Sequence, residues 1–189
     1  MLKHFHFLAI SAMICSAVSC NQIEPLQATS EQVEETQVTT RAYDDKSPTI
    51  AVYVETNDVN PLNAGDYKMS DGSTFIDIVE LFASNIHKDG NGDPTLYLND
   101  KLTNVLENGG AATYVAPLQE KGIKVLLTVL GDWQGIGVAN MTDAQSTKFA
   151  TILAYAVNKY GLDGIGFDDE YASYSGSLVS NSYAQIIKK

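Results

Sequence analysis

The succession from residue 124 to residue 168 most constrains how this chain can fold. KVLLTVL (124–130) is an apolar run with one charge, at its start, and it has the length and composition of a buried strand. Thr142-Asp143 can cap a helix that runs to Tyr160 and carries Phe149, Ile152, Leu153, Ala156 and Val157 on one face. Gly161 stops that helix, and LDGIGFD (162–168) is strand-like again. A strand, a helix and a strand in this order predict a parallel β/α unit.

The same alternation extends upstream. TIAVYVE (49–55) alternates and is β-branched, a good strand. FIDIVELFASNI (75–86) is continuously apolar, which suggests a strand buried on both faces, although its length also fits a helix. HKDGNGDPTLYL (87–98) reads as a Gly-rich turn entering a short extended segment. Asp89, Asn91 and Asp93 alternate as calcium ligands do, but no Glu follows at EF-hand distance, and a plain turn is expected. Residues 99–121 have helical spacing interrupted at Gly109-Gly110, and Ser177 to Lys189 begins another helix.

Four strands can be counted. A complete (β/α)8 TIM barrel needs about 200 to 250 residues or more. The fold class expected is therefore α/β, with about the first four β/α units of such a barrel. A half barrel exposes two strand edges, which predicts a covering partner: the missing half or a second copy of the chain.

The amino end carries different information. Met1-Leu2-Lys3 followed by FHFLAISAMICSAVSC has the layout of a secretory signal over residues 1–19. Ser16-Ala17-Val18-Ser19 before Cys20 resembles a bacterial lipobox, so Cys20 is the expected lipidation site, with an ordinary signal peptide as the alternative. Either way an exported protein is expected, as a lipoprotein of the outer membrane or cell surface. Residues 20–46, rich in Gln, Thr and Glu, read as a flexible tether, and a single domain follows at 47–189. Only Cys15 and Cys20 exist, so that domain has no disulfide. Removing residues 1–19 deletes Lys3 and moves the net charge from -11 to -12, which argues against nucleic acid or an anionic membrane surface as partner and suits neutral sugars.

The strand at 162–168 ends in three consecutive acids, Asp168, Asp169 and Glu170. Alternation puts Ile165 and Phe167 on one side, against helices, and Gly164, Gly166, Asp168 and Glu170 on the other, in the barrel interior. That carboxyl end of the strand is where barrels of this type build active sites. Two acids two residues apart perturb each other's titration, as an acid/base pair requires. A divalent-metal site or a helix-capping turn remains open from pattern alone.

DGIGFDDE (163–170) resembles the family-18 glycoside hydrolase signature Asp-Gly-x-Asp-x-Asp-x-Glu, with Gly166 at the second Asp. With YVETN (53–57), LNAGDY (62–67), LFASNI (81–86), GIKVLLTVLGDWQGIGVAN (122–140) and KYGLDGIGFDDEYA (159–172), the chain is similar to bacterial endo-β-N-acetylglucosaminidases of the H and F types. That resemblance implies hydrolysis between the two core N-acetylglucosamines of an N-glycan, without metal or cofactor. It makes Glu170 the general acid/base, which must be protonated at working pH, as burial and a neighbouring carboxylate favour. Asp168 would orient the substrate's own 2-acetamido group, the nucleophile in family 18. Asp169 would point away and serve structure. In GDWQGIG (131–137), Gln134 can hydrogen-bond a sugar, while Trp133 can stack on one or equally fill the core. Glu55, Asn57 and Tyr171 complete the substrate-contact candidates. Gly166 removes an interior acid and leaves space for a water, which predicts weakened activity, and Gly166→Asp is expected to raise the rate. A glycan-binding protein without catalysis and a chitinase-like hydrolase are the alternatives.

Overall fold

The computed structural model describes residues 48–189. The expected signal segment, Cys20 and the expected tether lie outside the described residues. Four strands form one parallel sheet: β1 Ala51–Glu55, β2 Ile78–Lys88, β4 Lys124–Gly131 and β5 Gly164–Phe167, in the order β1-β2-β4-β5. The ambiguous segment at 75–86 is thus a strand. A fifth strand, β3 Pro94–Tyr97, pairs antiparallel with the end of β2 and makes a hairpin, adding no further β/α unit. At its turn, Asp89 accepts hydrogen bonds from the backbone of Asn91 and Asp93, and the Lys148 ammonium pairs with both Asp89 and Asp93. A lysine therefore takes the position a cation would have used.

The stretch 99–121 breaks into three short helices, α1 Asp100–Leu106, α2 Gly110–Tyr114 and α3 Ala116–Glu120. The long helix α4, Asp143–Tyr160, follows β4 and owes its boundaries to local chemistry. Thr142 and Gln145 form a reciprocal capping box at its start, and Gly161 ends it in the left-handed conformation. α5, Ser182–Lys188, starts five residues later than the sequence suggested.

The sheet has two unlike faces. Val79, Leu81, Val125, Leu127 and Val129 are fully buried beneath the helices, together with Phe149 of α4. Each fully buried side chain of this size contributes about 1.5–3 kcal/mol. Ile165 and Phe167 of β5 pack against the same core, as alternation requires. The opposite face carries Tyr53, Glu80, Leu126, Thr128, Gly164 and Gly166, and strand pairing sets Tyr53 beside Glu80, Glu80 beside Leu126, and Thr128 beside Gly166. A sheet covered by helices on one side and polar on its other is the architecture of about half a (β/α)8 barrel.

Candidate active site

The acids leave the end of β5 under tight backbone control. The Asp168 N–H donates to the Val129 carbonyl at 3.0 Å, and beyond it the loop after β4 runs against the loop after β5. Gly131 donates to the Glu170 carbonyl at 2.9 Å, Trp133 to Tyr171 at 2.6 Å and Gly135 to Ala172 at 3.0 Å. This approach is why residue 131 is glycine: a Cβ there would lie 2.4 Å from the Ala172 backbone and 2.6 Å from the Glu170 carbonyl oxygen.

The outer acids of the motif are occupied with structure. Asp163 accepts from the Val125 N–H at 2.9 Å and from the Gln119 amide at 2.8 Å, joining β5 to β4 and α3. Asp169 accepts from the Tyr174 hydroxyl, which in turn accepts from the Ala139 N–H at 3.1 Å. Burial, then the bond to Asp169, pushes the Tyr174 phenol up to about 12. Asp169 thus holds the loop while Asp168 and Glu170 stand at the strand end.

Trp133 does not fill the core. It is 68% exposed, and its ring lies 5.3 Å from that of Tyr171, itself 50% exposed, at an angle of 52°. Two solvent-facing aromatic rings beside two carboxylates suit the apolar face of a sugar ring. Gln134 is partly committed, because its carbonyl oxygen accepts from the Lys88 N–H at 3.1 Å. Glu55 and Asn57 are exposed at the end of β1, the opposite edge of the sheet from β5. The structure therefore gathers Asp168, Glu170, Trp133 and Tyr171, ties Gln134 to β2, and leaves Glu55 and Asn57 three strands away. Glu170 is exposed, so the burial expected to keep it protonated is not supplied by the described residues.

Two groups on this side of the sheet escaped the sequence reading. The space beside Gly166 is filled: a Cβ at that position would lie 2.0 Å from Glu80 Oε2 and 2.9 Å from its Cδ, and Thr128 Oγ1 donates to the same oxygen at 2.7 Å. The expectation of a vacancy open to water is thereby corrected. The second group is His87, whose Nε2 lies 2.7 Å from Asp132 Oδ2 and whose ring stacks on Tyr97 at 4.3 Å. Glu80 is a charged residue flanked by Val79 and Leu81, and that was the available signal for it; His87 sits among Asn85 and Lys88 at the polar end of the strand and carried none. Among the described residues no group of three or more His, Cys, Asp or Glu is arranged to hold a metal ion.

No family model matches the chain. Among curated proteins it is 43% identical over 128 residues to an endo-beta-N-acetylglucosaminidase of Flavobacterium sp. (strain SK1022), an alignment covering 67% of this chain and 40% of that protein. It is 40% identical over 124 residues to endo-beta-N-acetylglucosaminidase F1 of Elizabethkingia meningoseptica, covering 65% of this chain and 36% of that one. Its relatives are endo-β-N-acetylglucosaminidases. The chain spans about two fifths of the length of these curated relatives. Among solved structures it superposes on Bacteroides thetaiotamicron EndoBT-3987 bound to a Man5GlcNAc product, with a TM-score of 0.69 and 32% identity over 77% of this chain and 36% of that one. A second structure of that protein, with a Man9GlcNAc2Asn substrate, gives a TM-score of 0.67 and 29% identity over 78% of this chain and 41% of the other. The half barrel thus corresponds to part of a larger barrel in its relatives.

Proposed function

We propose that this chain supplies the acid-bearing part of an endo-β-N-acetylglucosaminidase that cuts the chitobiose core of N-glycans. The observation that carries this reading is the position of Asp168 and Glu170 at the carboxyl end of β5, beside the exposed Trp133–Tyr171 pair. In the proposed reaction Asp168 accepts a hydrogen bond from the substrate's 2-acetamido N–H and aims its carbonyl oxygen at the anomeric carbon. That oxygen forms a bond to the carbon as the glycosidic C–O bond breaks, and the Glu170 proton passes to the departing sugar oxygen. Water then attacks the anomeric carbon, the oxazoline ring reopens, and the water's proton returns to Glu170.

Incubation with a high-mannose glycoprotein, followed by mass measurement, tests the reading. Release of a glycan that leaves one N-acetylglucosamine on the protein, and its loss in Glu170→Gln, is the expected result. Binding of the glycan without release would replace the enzyme with a lectin, and cleavage of chitin oligomers instead would make it a chitinase.

Export and a lipid anchor at Cys20 are also proposed, from the signal-like residues 1–19 and the small residues before the cysteine. Metabolic labelling with a fatty-acid analogue should mark the parent and not Cys20→Ala. Labelling that survives the substitution would remove the anchor.

A further inference from the structure

We propose that Glu80 is a positioning residue for Asp168, its carboxylate reaching across from β2 to occupy the interior site that the family's signature fills from residue 166. The proposal rests on the enzyme reading above and goes beyond it, because residue 80 lies outside the signature and on another strand.

The geometry is reciprocal. With Glu80 Oε2 only 2.0 Å from where a Cβ on residue 166 would sit, an aspartate at 166 would displace the Glu80 carboxylate from its present place. Gly166 is therefore the residue that admits Glu80, and the departure from the signature moves an acid from β5 to β2 without deleting it. Glu80 is held in this pose. The buried Thr128 donates to it from β4, and Tyr53 of β1 lies beside it in the strand register. Thr128 is 0% exposed, so without Glu80 its hydroxyl would lose its partner. Asp168 follows Gly166 by two residues, so alternation at the end of β5 puts it on the face that Glu80 reaches. The Tyr53 phenol is raised above its ordinary value by the charge of Glu80 first, then by burial, and then by the charge of Asp168. The groups that face one another here are thus Tyr53 from β1, Glu80 from β2, Thr128 from β4 and Asp168 at the end of β5. Glu80 lies on the floor of the site and Asp168 at its mouth, so Glu80 acts on substrate only through Asp168.

The test is a carboxylate relocation in the full chain, comparing the parent, Glu80→Ala, Gly166→Asp and the Glu80→Ala/Gly166→Asp double variant. Glu80→Ala should lower kcat about tenfold to a hundredfold with KM little changed, the loss expected for one charged hydrogen-bonding partner. Gly166→Asp alone should be slower and less thermally stable than the parent. The double variant should be faster than either single one, because the acid returns from the other strand. A Glu80→Ala protein as fast as the parent, a double variant no better than the singles, or a Gly166→Asp protein faster than the parent would each overturn the proposal. If the parent itself releases no glycan, the functional reading falls, and the relocation is read from the Tyr53 phenol in carbon-13 tyrosine-labelled protein, assigned with Tyr53→Phe. Its titration should drop towards the ordinary tyrosine value in Glu80→Ala and rise again in the double variant. A Tyr53 titration indifferent to Glu80 would reject the placement of that carboxylate.

Discussion

Facing the helices, β2 and β4 present Val79, Leu81, Val125, Leu127 and Val129, all 0% exposed; facing the other way, the same two strands present Glu80, Leu126 and Thr128. On the first face each residue is stabilising through area removed from water, and neighbouring apolar residues of similar volume would serve nearly as well. On the second, Thr128 is buried and Glu80 half-buried, at a cost that only specific partners offset. The contrast teaches that one face sets how firmly the sheet folds, whereas the other is arranged for a task that stability alone does not explain.

The sharpest way to break this contrast is Glu170→Gln. Removing the proposed general acid/base should cut glycan release about 10²- to 10⁴-fold, while the thermal midpoint stays near that of the parent because Glu170 is exposed. A variant that melts much earlier would place Glu170 among the structural acids. The converse substitution is Phe149→Ala on α4. It should cost about 3–5 kcal/mol in urea titrations and leave the rate per folded molecule unchanged. A matching loss of kcat would show that the two faces are not separable.

How much of this was legible beforehand follows from where each signal lies. β4 and α4 could be read because their determinants are local: an unbroken apolar run, a Thr142/Gln145 capping box and a left-handed Gly161. The facing of Ile165 and Phe167 against Gly164 and Gly166 followed from alternation within one strand. Glu80 could not be placed in this way. Its neighbours Tyr53, Thr128 and Gly166 come from three other strands, so its place is defined only once the order β1-β2-β4-β5 and the pairing register are known. FIDIVELFASNI is mostly apolar, and a glutamate between Val79 and Leu81 in such a run calls for a partner that the run itself does not name. The exposure of Trp133 was likewise undecidable, since it depends on two left-handed residues, Trp133 and Tyr171, in loops from different strands.

A third prediction sharpens the comparison within a single motif. Asp163 opens the signature but ties Val125 and Gln119 together at the far end of β5 from the acids. Asp163→Ala should cost about 1–3 kcal/mol of stability, the range for leaving a donor without its partner, with kcat preserved at temperatures where the variant is folded. A selective loss of kcat would move Asp163 to the catalytic side.

The smallest effect is expected at Tyr174, which sits between the two roles by fixing Asp169 next to the proposed catalytic pair. Tyr174→Phe removes the bond to Asp169 and should cost about 0.5–1.5 kcal/mol near neutral pH. The pH dependence has a definite sign. The folded-state phenol is pushed up to about 12, above its ordinary 10, so folding favours the neutral form. Below about pH 10 both folded and unfolded chains keep this proton, and the contribution is whole. Between about pH 10 and 12 the unfolded chain ionises first and the contribution is lost. Urea midpoints of parent and variant should therefore converge between about pH 9 and pH 11. The difference cancels the tyrosines common to both proteins, including the buried Tyr160, whose phenol burial also raises. A gap that stays constant over that range would mean that the Tyr174 hydroxyl holds the loop through the bond it accepts from the Ala139 N–H, and not by donating to Asp169.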